Sequence, residues 1–294
     1  EPWCCFVSCE EPHDPYVCGR ESFGRYNVDA LELPPNFHDD LHDKPGLYRK
    51  SGRVFSSLTD RNKREALACY YASITEIDQQ YGRLLDFLEK TDQLDDTLII
   101  LTSDHGDFLG AHGLYMKNTA AFEEAYQIPM VLSGPDICCD RVTEARVGLH
   151  DLAPTICELA GVTPLENAES RSFAPLLKDP DGQASNFTSG YAEYSGSRYL
   201  LTQRIIWDGP WKLIWNGFDI DELYNLDQDP YELTNQIDRS DCTPVVERLM
   251  KRAWRIVRDT NDYPLLRTGY PPLQIAPVGP GILDQDSGSN RSST

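Results

Sequence analysis

Residues 60–107 restrict what this chain can fold into more than any other stretch. Apolar side chains recur at Leu67, Tyr70, Tyr71, Ile74, Ile77, Tyr81, Leu84, Leu85 and Leu88. Steps of three and four place them on one face of a long helix. Asp60 stands at the expected N-cap, and residues 92–96 break the pattern. The run Thr97-Leu98-Ile99-Ile100-Leu101-Thr102 does not alternate, so it suits a strand buried on both faces of a parallel sheet. A polar loop, Ser103-Asp104-His105-Gly106-Asp107, follows at once. Long helix, buried strand and polar loop together make the rhythm of a doubly wound sheet. A further strand is expected at residues 129–132, and a helix at 151–159 that Gly161 stops.

The texture changes after about residue 185. Short strands at 198–207, 211–215 and 222–226 are separated by Asp208-Gly209-Pro210 and Asn216-Gly217, turn signals of an antiparallel meander. Residues 244–259 form an amphipathic helix able to cover one face of it. The fold class is therefore α/β. It comprises part of a doubly wound, mostly parallel sheet flanked by helices, then a smaller C-terminal α+β subdomain on an antiparallel sheet. The expected boundaries are 1–185 for the α/β part, 186–274 for the subdomain and 275–294 for a disordered tail, or an arm over the surface, rich in Gly, Pro, Ser and Asp. Residues 19–58, rich in Pro, Gly, Asp and His, read as a long surface excursion, and residues 6–8 as a short strand.

The formal net charge of −20 repels nucleic acid and anionic membranes, so an anionic ligand must be drawn by a local cluster of cations or a metal. No run of 18 apolar residues occurs, which excludes a transmembrane helix. The nine cysteines lack paired C-x-x-C spacing, against a Cys-only zinc site. Cys9 and Cys18 either bridge or, like the others, stay as free thiols. Asn186 and Asn290 head glycosylation sequons that matter only in a secreted protein.

Chemistry concentrates in S-D-H-G-D-F-L-G-A-H-G-L-Y-M-K, residues 103–117. Asp104 and His105 lie at the carboxyl end of a strand, where open α/β sheets bind ligands, and can hold a divalent cation. Lys117 can neutralise a transferred anionic group. His112 reads as a loop residue that supports others. Glu123 and Glu124 read as helix-capping or supporting groups, and Asp39-Asp40 as a solvated turn. His13, between Pro12 and Pro15, sits on a rigid loop.

These segments together resemble the sulfatase family of the alkaline-phosphatase-like superfamily. The resemblance runs from Pro12-His13-Asp14-Pro15 through Thr102-Ser103-Asp104-His105-Gly106, Gly110-Ala111-His112-Gly113 and Lys117 to Phe122-Glu123-Glu124-Ala125. It continues in His150-Asp151-Leu152-Ala153-Pro154 and in Glu222-Leu223-Tyr224-Asn225-Leu226 with Asp229-Pro230-Tyr231-Glu232-Leu233. It implies that Asp104 and His105 are two ligands of one divalent cation, with His105 where many members carry Asn. The carboxylate-rich family shell suits Ca2+, and the imidazole leaves room for Mn2+. It implies that Lys117 contacts the sulfate and that His13 contacts the sulfate or the leaving oxygen.

The family also carries an earlier pair of adjacent Asp ligands and a C-x-P-S-R or S-x-P-S-R segment whose first residue becomes formylglycine. Neither is found: Cys242-Thr243-Pro244 begins correctly, but Val245 and Val246 replace Ser and Arg. The expectation is a sulfuric ester hydrolase acting on a small anionic ester, whose nucleophile lies in a missing N-terminal part of the same protein. This chain alone would then be inactive. Phosphonate monoester or phosphodiester hydrolysis is an alternative within the superfamily, and a nucleophile-free binding module is an alternative outside it.

Overall fold

The computed structural model describes residues 2–117, 119–163, 170–196 and 201–286. In chain order they form α1 (Arg20–Phe23), α2 (Gly46–Phe55), α3 (Asp60–Lys90), β1 (Ile99–Thr102), α4 (Glu123–Tyr126) and β2 (Met130–Ser133). Then come α5 (Leu152–Leu159), α6 (Ala174–Lys178), α7 (Pro180–Gln183), β3 (Ser189–Tyr194), β4 (Gln203–Asp208), β5 (Trp211–Asn216) and β6 (Glu222–Asn225). Helices α8 (Thr243–Asp259), α9 (Tyr263–Leu266) and α10 (Pro271–Ile275) complete the list. The chain divides into two units: Glu1–Asp40 with Leu47–Pro135, and Leu41–Gly46 with Asp136–Thr294.

In the first unit the long helix forms where its periodicity places it. Its cap is Thr59, not Asp60: Thr59 Oγ1 accepts the Asn62 N–H at 3.2 Å, and Asn62 Oδ1 accepts the Thr59 N–H at 3.3 Å. Leu67, Ala68, Ala72 and Ser73 are buried, whereas Ile74, Leu84, Leu85 and Phe87 are exposed. Strands β1 and β2 pair antiparallel, from Ile99 opposite Ser133 to Thr102 opposite Met130. A mostly parallel sheet can carry such a pair. The apolar run at β1 is only partly buried, because two strands alone cannot cover both faces. Residues 6–8, expected as a strand, pair with no strand among the described residues, and Phe6 is 94% exposed. The supposed excursion at 19–58 carries helices, and Tyr48 within it is fully buried, its ring 5.6 Å from that of Phe122.

The second unit is built on the meander. Its four strands lie in the order β3-β4-β5-β6, each pair antiparallel. Strand β3 was not expected, because Ser189-Gly190-Tyr191-Ala192 lacks a strong apolar alternation. Helix α8 buries Val246, Leu249, Met250, Ala253, Trp254 and Val257 against Ile206, Leu213, Trp215 and Leu223. The tail expected from residue 275 is ordered at its start: Ile282 is buried in this core, and Trp254 Nε1–H donates to the Val278 carbonyl at 2.8 Å. The rest of that expectation, with Asn290, lies outside the described residues. Among the described residues no helix is long and apolar enough to cross a membrane.

Candidate active site

The polar loop leaves β1 and turns sharply at Gly106. A Cβ there would collide with the Glu124 carbonyl, so only glycine lets the Gly106 N–H reach the Ala125 carbonyl at 2.9 Å. This close approach ties the Asp104-His105 step to α4. The loop then reverses through Gly110 (φ +103°), His112 (φ +54°) and Gly113 (φ +66°), which brings Lys117 back beside His105.

Lys117 Nζ lies 2.7 Å from His13 Nε2 and 3.1 Å from His105 Nε2. The two imidazoles stand edge to face, their centroids 5.8 Å apart. Their other nitrogens fix the tautomers. His13 Nδ1 lies 2.7 Å from the Asp14 carbonyl and His105 Nδ1 2.8 Å from the Gly106 carbonyl. A carbonyl only accepts, so each Nδ1 carries the proton and each Nε2 turns a lone pair toward the ammonium. His105 is thus preset in the tautomer that binds a metal through Nε2.

Asp104 accepts the His105 N–H through Oδ1 at 3.0 Å, and its Oδ2 stands 3.8 Å from His105 Nε2. Its side chain is 85% exposed. Among the described residues no group of three His, Cys, Asp or Glu side chains could hold a metal ion. Asp104 and His105 fit two positions of a cation's shell and leave the others to be filled.

Residues that sequence reasoning did not single out hold this arrangement in place. Tyr16, three positions after His13, donates its hydroxyl to Asp107 at 2.8 Å and accepts the Met116 N–H at 3.2 Å. It therefore clamps the His13 loop to both ends of the Lys117 loop. Burial raises the Asp107 carboxyl above the usual carboxylate range, against the opposing hydrogen bonds from Tyr16 and the Leu109 N–H. The signal available in the sequence was the aromatic directly after Pro-His-Asp-Pro.

Asp39 corrects the reading of a solvated turn. Its carboxylate is buried and lies 2.6 Å from His112 Nδ1. His112 is itself buried, stacks on Phe122 with centroids 3.8 Å apart, and faces Glu124 Oε2 at 3.9 Å. Glu124 in turn accepts from Asn36 Nδ2 at 2.7 Å. Supporting roles for His112 and Glu124 thus acquire a geometry, and His112 is not among the groups around Lys117.

A lysine and two histidines thus converge just past the carboxyl end of β1, where open α/β sheets bind ligands. The sulfatase family model matches residues 1–162, and the C-terminal N-sulphoglucosamine sulphohydrolase model matches 110–259. The chain belongs to the sulfatase family. It is 32% identical to a choline-sulfatase of Rhizobium meliloti over 247 residues, 80% of this chain and 46% of that protein. It is 31% identical to an uncharacterised sulfatase of Escherichia coli, over 81% of this chain and 47% of the relative. The chain thus spans about half the length of these relatives. A solved structure of a protein in complex with its substrate D-glucosamine-2-N,6-O-disulfate superposes with a TM-score of 0.77 at 22% identity, covering 86% of this chain and 64% of its own. A phosphonate monoester hydrolase from Silicibacter pomeroyi superposes at 0.75 with 24% identity, covering 86% and 55%. These structures share the α/β fold expected from the sequence.

Proposed function

We propose that this chain supplies the cationic side of a sulfate-ester hydrolase site, and that the whole protein releases inorganic sulfate from a small sulfated alcohol. The observation that carries the reading is the convergence of Lys117, His13 and His105 within 3.1 Å contacts, in a chain of the sulfatase family. Lys117 Nζ is the donor that binds the sulfuryl oxygens. Replacing its contacts to two neutral imidazoles by contacts to an anion is favourable, because the ammonium gains a charged partner.

His13 and Lys117 hold one proton between nitrogens 2.7 Å apart. With Lys117 drawn to the sulfuryl oxygens, His13 Nε2 is released to carry a proton taken from solvent to the leaving alkoxide, which gives the departing alcohol its hydrogen. His105, with its proton held on Nδ1 by the Gly106 carbonyl, keeps Nε2 as a fixed electron-pair donor. A divalent cation held by Asp104, His105 and ligands beyond this chain, Ca2+ first and Mn2+ second, would polarise the oxygens of the bound ester. The attacking group, a formylglycine in the family's pattern, belongs to the part of the relatives that this chain does not span. Residues 1–294 alone should then turn over no ester.

The test is to express the complete reading frame and assay choline sulfate, an aryl sulfate and an aryl phosphonate monoester in parallel. Sulfate release that disappears with Lys117→Ala supports the reading. Turnover of the phosphonate alone would establish the alternative chemistry. A frame without a nucleophile that binds sulfate esters intact would make the protein a binding module.

A further inference from the structure

We propose that Cys18 and Cys69 are a redox-linked pair, joined in oxidising conditions by a disulfide that staples the His13-bearing segment to α3. Free thiols are the state of all nine cysteines in the structure, and both members of this pair are partly accessible. The sequence had offered Cys9 with Cys18. The fold brings Cys18 to a different partner.

Three contacts bracket the pair. Before Cys18, the Tyr16 ring packs edge to face on Tyr70, centroids 6.0 Å apart. After it, the Gly19 N–H donates to Glu76 Oε1 at 2.9 Å. Further on, Tyr26 Oη lies 2.6 Å from Thr75 Oγ1 and 3.1 Å from the Tyr71 carbonyl. Cys69 and Glu76 are seven residues apart, two turns along the same helical face, with Ala72 and Ser73 buried between them. Helical side chains lean toward the N-terminus, so Glu76 reaches Gly19 over the turn that leads back to Cys69. Cys18, between Tyr16 and Gly19, is thereby laid along the helical face that carries Cys69. Burial first, and the Cys18 thiol next, push the Cys69 thiol up to about 11.

The covalent step is ordinary thiol–disulfide exchange with a small disulfide such as oxidised glutathione. One cysteine thiolate attacks the glutathione disulfide, forms a mixed disulfide and releases one glutathione thiolate. The second cysteine attacks the mixed sulfur and releases the other. Two protein thiols lose two protons and two electrons, and one glutathione disulfide becomes two glutathione thiols. Because Cys69 is protonated at neutral pH, closure should be slow there and should quicken as pH rises. The consequence reaches the candidate site: Tyr16 and His13 lie two and five residues before Cys18, so the link would hold their segment on the helix.

The experiment equilibrates the purified 294-residue chain in buffers of increasing oxidised-to-reduced glutathione ratio, traps free thiols by alkylation and digests with chymotrypsin. Cleavage after Tyr16, Phe23, Leu67 and Tyr70 isolates Cys18 and Cys69 in peptides 17–23 and 68–70, free of the other cysteines. A linked 17–23/68–70 species that accumulates with oxidation and raises the melting midpoint by several degrees is the expected result. It should persist in Cys9→Ser and vanish in Cys69→Ser. Both peptides alkylated in the most oxidising buffer, or Cys18 linked to Cys9, would overturn the proposal. The wild-type peptide map decides the matter even if a variant fails to fold, and it is independent of whether the protein hydrolyses any ester.

Discussion

Lys117 Nζ and His13 Nε2 are 2.7 Å apart although 104 residues separate them in the chain. A hydrogen bond of that length between an ammonium and an imidazole fixes both the place of the charge and the direction of the histidine lone pair. In the complete protein, Lys117→Ala should lower kcat for sulfate esters by roughly 100- to 1000-fold, the usual cost of deleting a group that stabilises developing charge. His13→Asn should lower it by about 100-fold or more, with the larger loss on alcohols that are poor leaving groups. Comparing an alkyl with an aryl sulfate checks this, since an equal loss on both would argue against proton delivery by His13.

The Tyr16 hydroxyl holds the two loops that meet at this pair. Tyr16→Phe deletes the donor to Asp107 and the acceptor for Met116, and leaves a buried carboxylate with one hydrogen bond fewer. A loss of about 1–3 kcal/mol in urea unfolding is expected, the cost of stranding a buried polar group. The Asp107 carboxyl, already raised by burial, should rise further because the Tyr16 hydrogen bond is one of the groups holding it down. Carboxyl-region NMR titration of the variant against the parent measures that shift. An unchanged or lower Asp107 titration would remove Tyr16 from this role.

The buried contact between Asp39 and His112 should matter to stability more than to chemistry. His112 adopts a left-handed backbone, which costs a non-glycine residue energy unless its side chain is held. Asp39→Ala removes the carboxylate at 2.6 Å and should destabilise the fold by about 2 kcal/mol. Asp39→Asn, which keeps an acceptor for Nδ1–H, should recover part of that loss. Chemical denaturation of the three proteins tests the ranking, and equal stabilities would show that the contact carries nothing.

How far these relationships were legible in the sequence follows from what each depends on. The helix at 60–90, strands β4 to β6 and α8 rest on local periodicity and turn residues and form close to where the pattern put them, although β4 begins at Gln203 and β3 had no such pattern. That His13, His105 and Lys117 come together was suggested only by the ordered motifs of the resemblance, since no local pattern brings position 13 to position 117. Tyr16 and Asp39 escaped because their partners are far away in sequence and each looks like an ordinary loop residue until the fold closes. The apolar run at β1 was read as doubly covered. Its burial depends on neighbouring strands, which a run of side chains does not announce.

The second unit carries a titration that the site does not share. Burial, with the neighbouring Glu222 carboxylate, lifts the Asp221 carboxyl from 3.8 to about 7, against the opposing hydrogen bond from the Asn216 N–H at 2.6 Å. A carboxyl raised on folding binds its proton more tightly in the native than in the unfolded state. Its stabilising effect is therefore complete below about pH 4 and is lost as pH climbs through about 7. The free energy at stake is on the order of 3 kcal/mol once solvent screening is allowed for. Asp221→Asn keeps an oxygen to accept the Asn216 N–H and has no proton to lose. The variant should melt at nearly the same temperature across this window, while the parent declines, so that the variant is the more stable protein at pH 8. Melting profiles of the two proteins between pH 4 and pH 8 test the sign as well as the size. Parallel curves would mean that Asp221 is ionised throughout, held so by water that reaches its free oxygen.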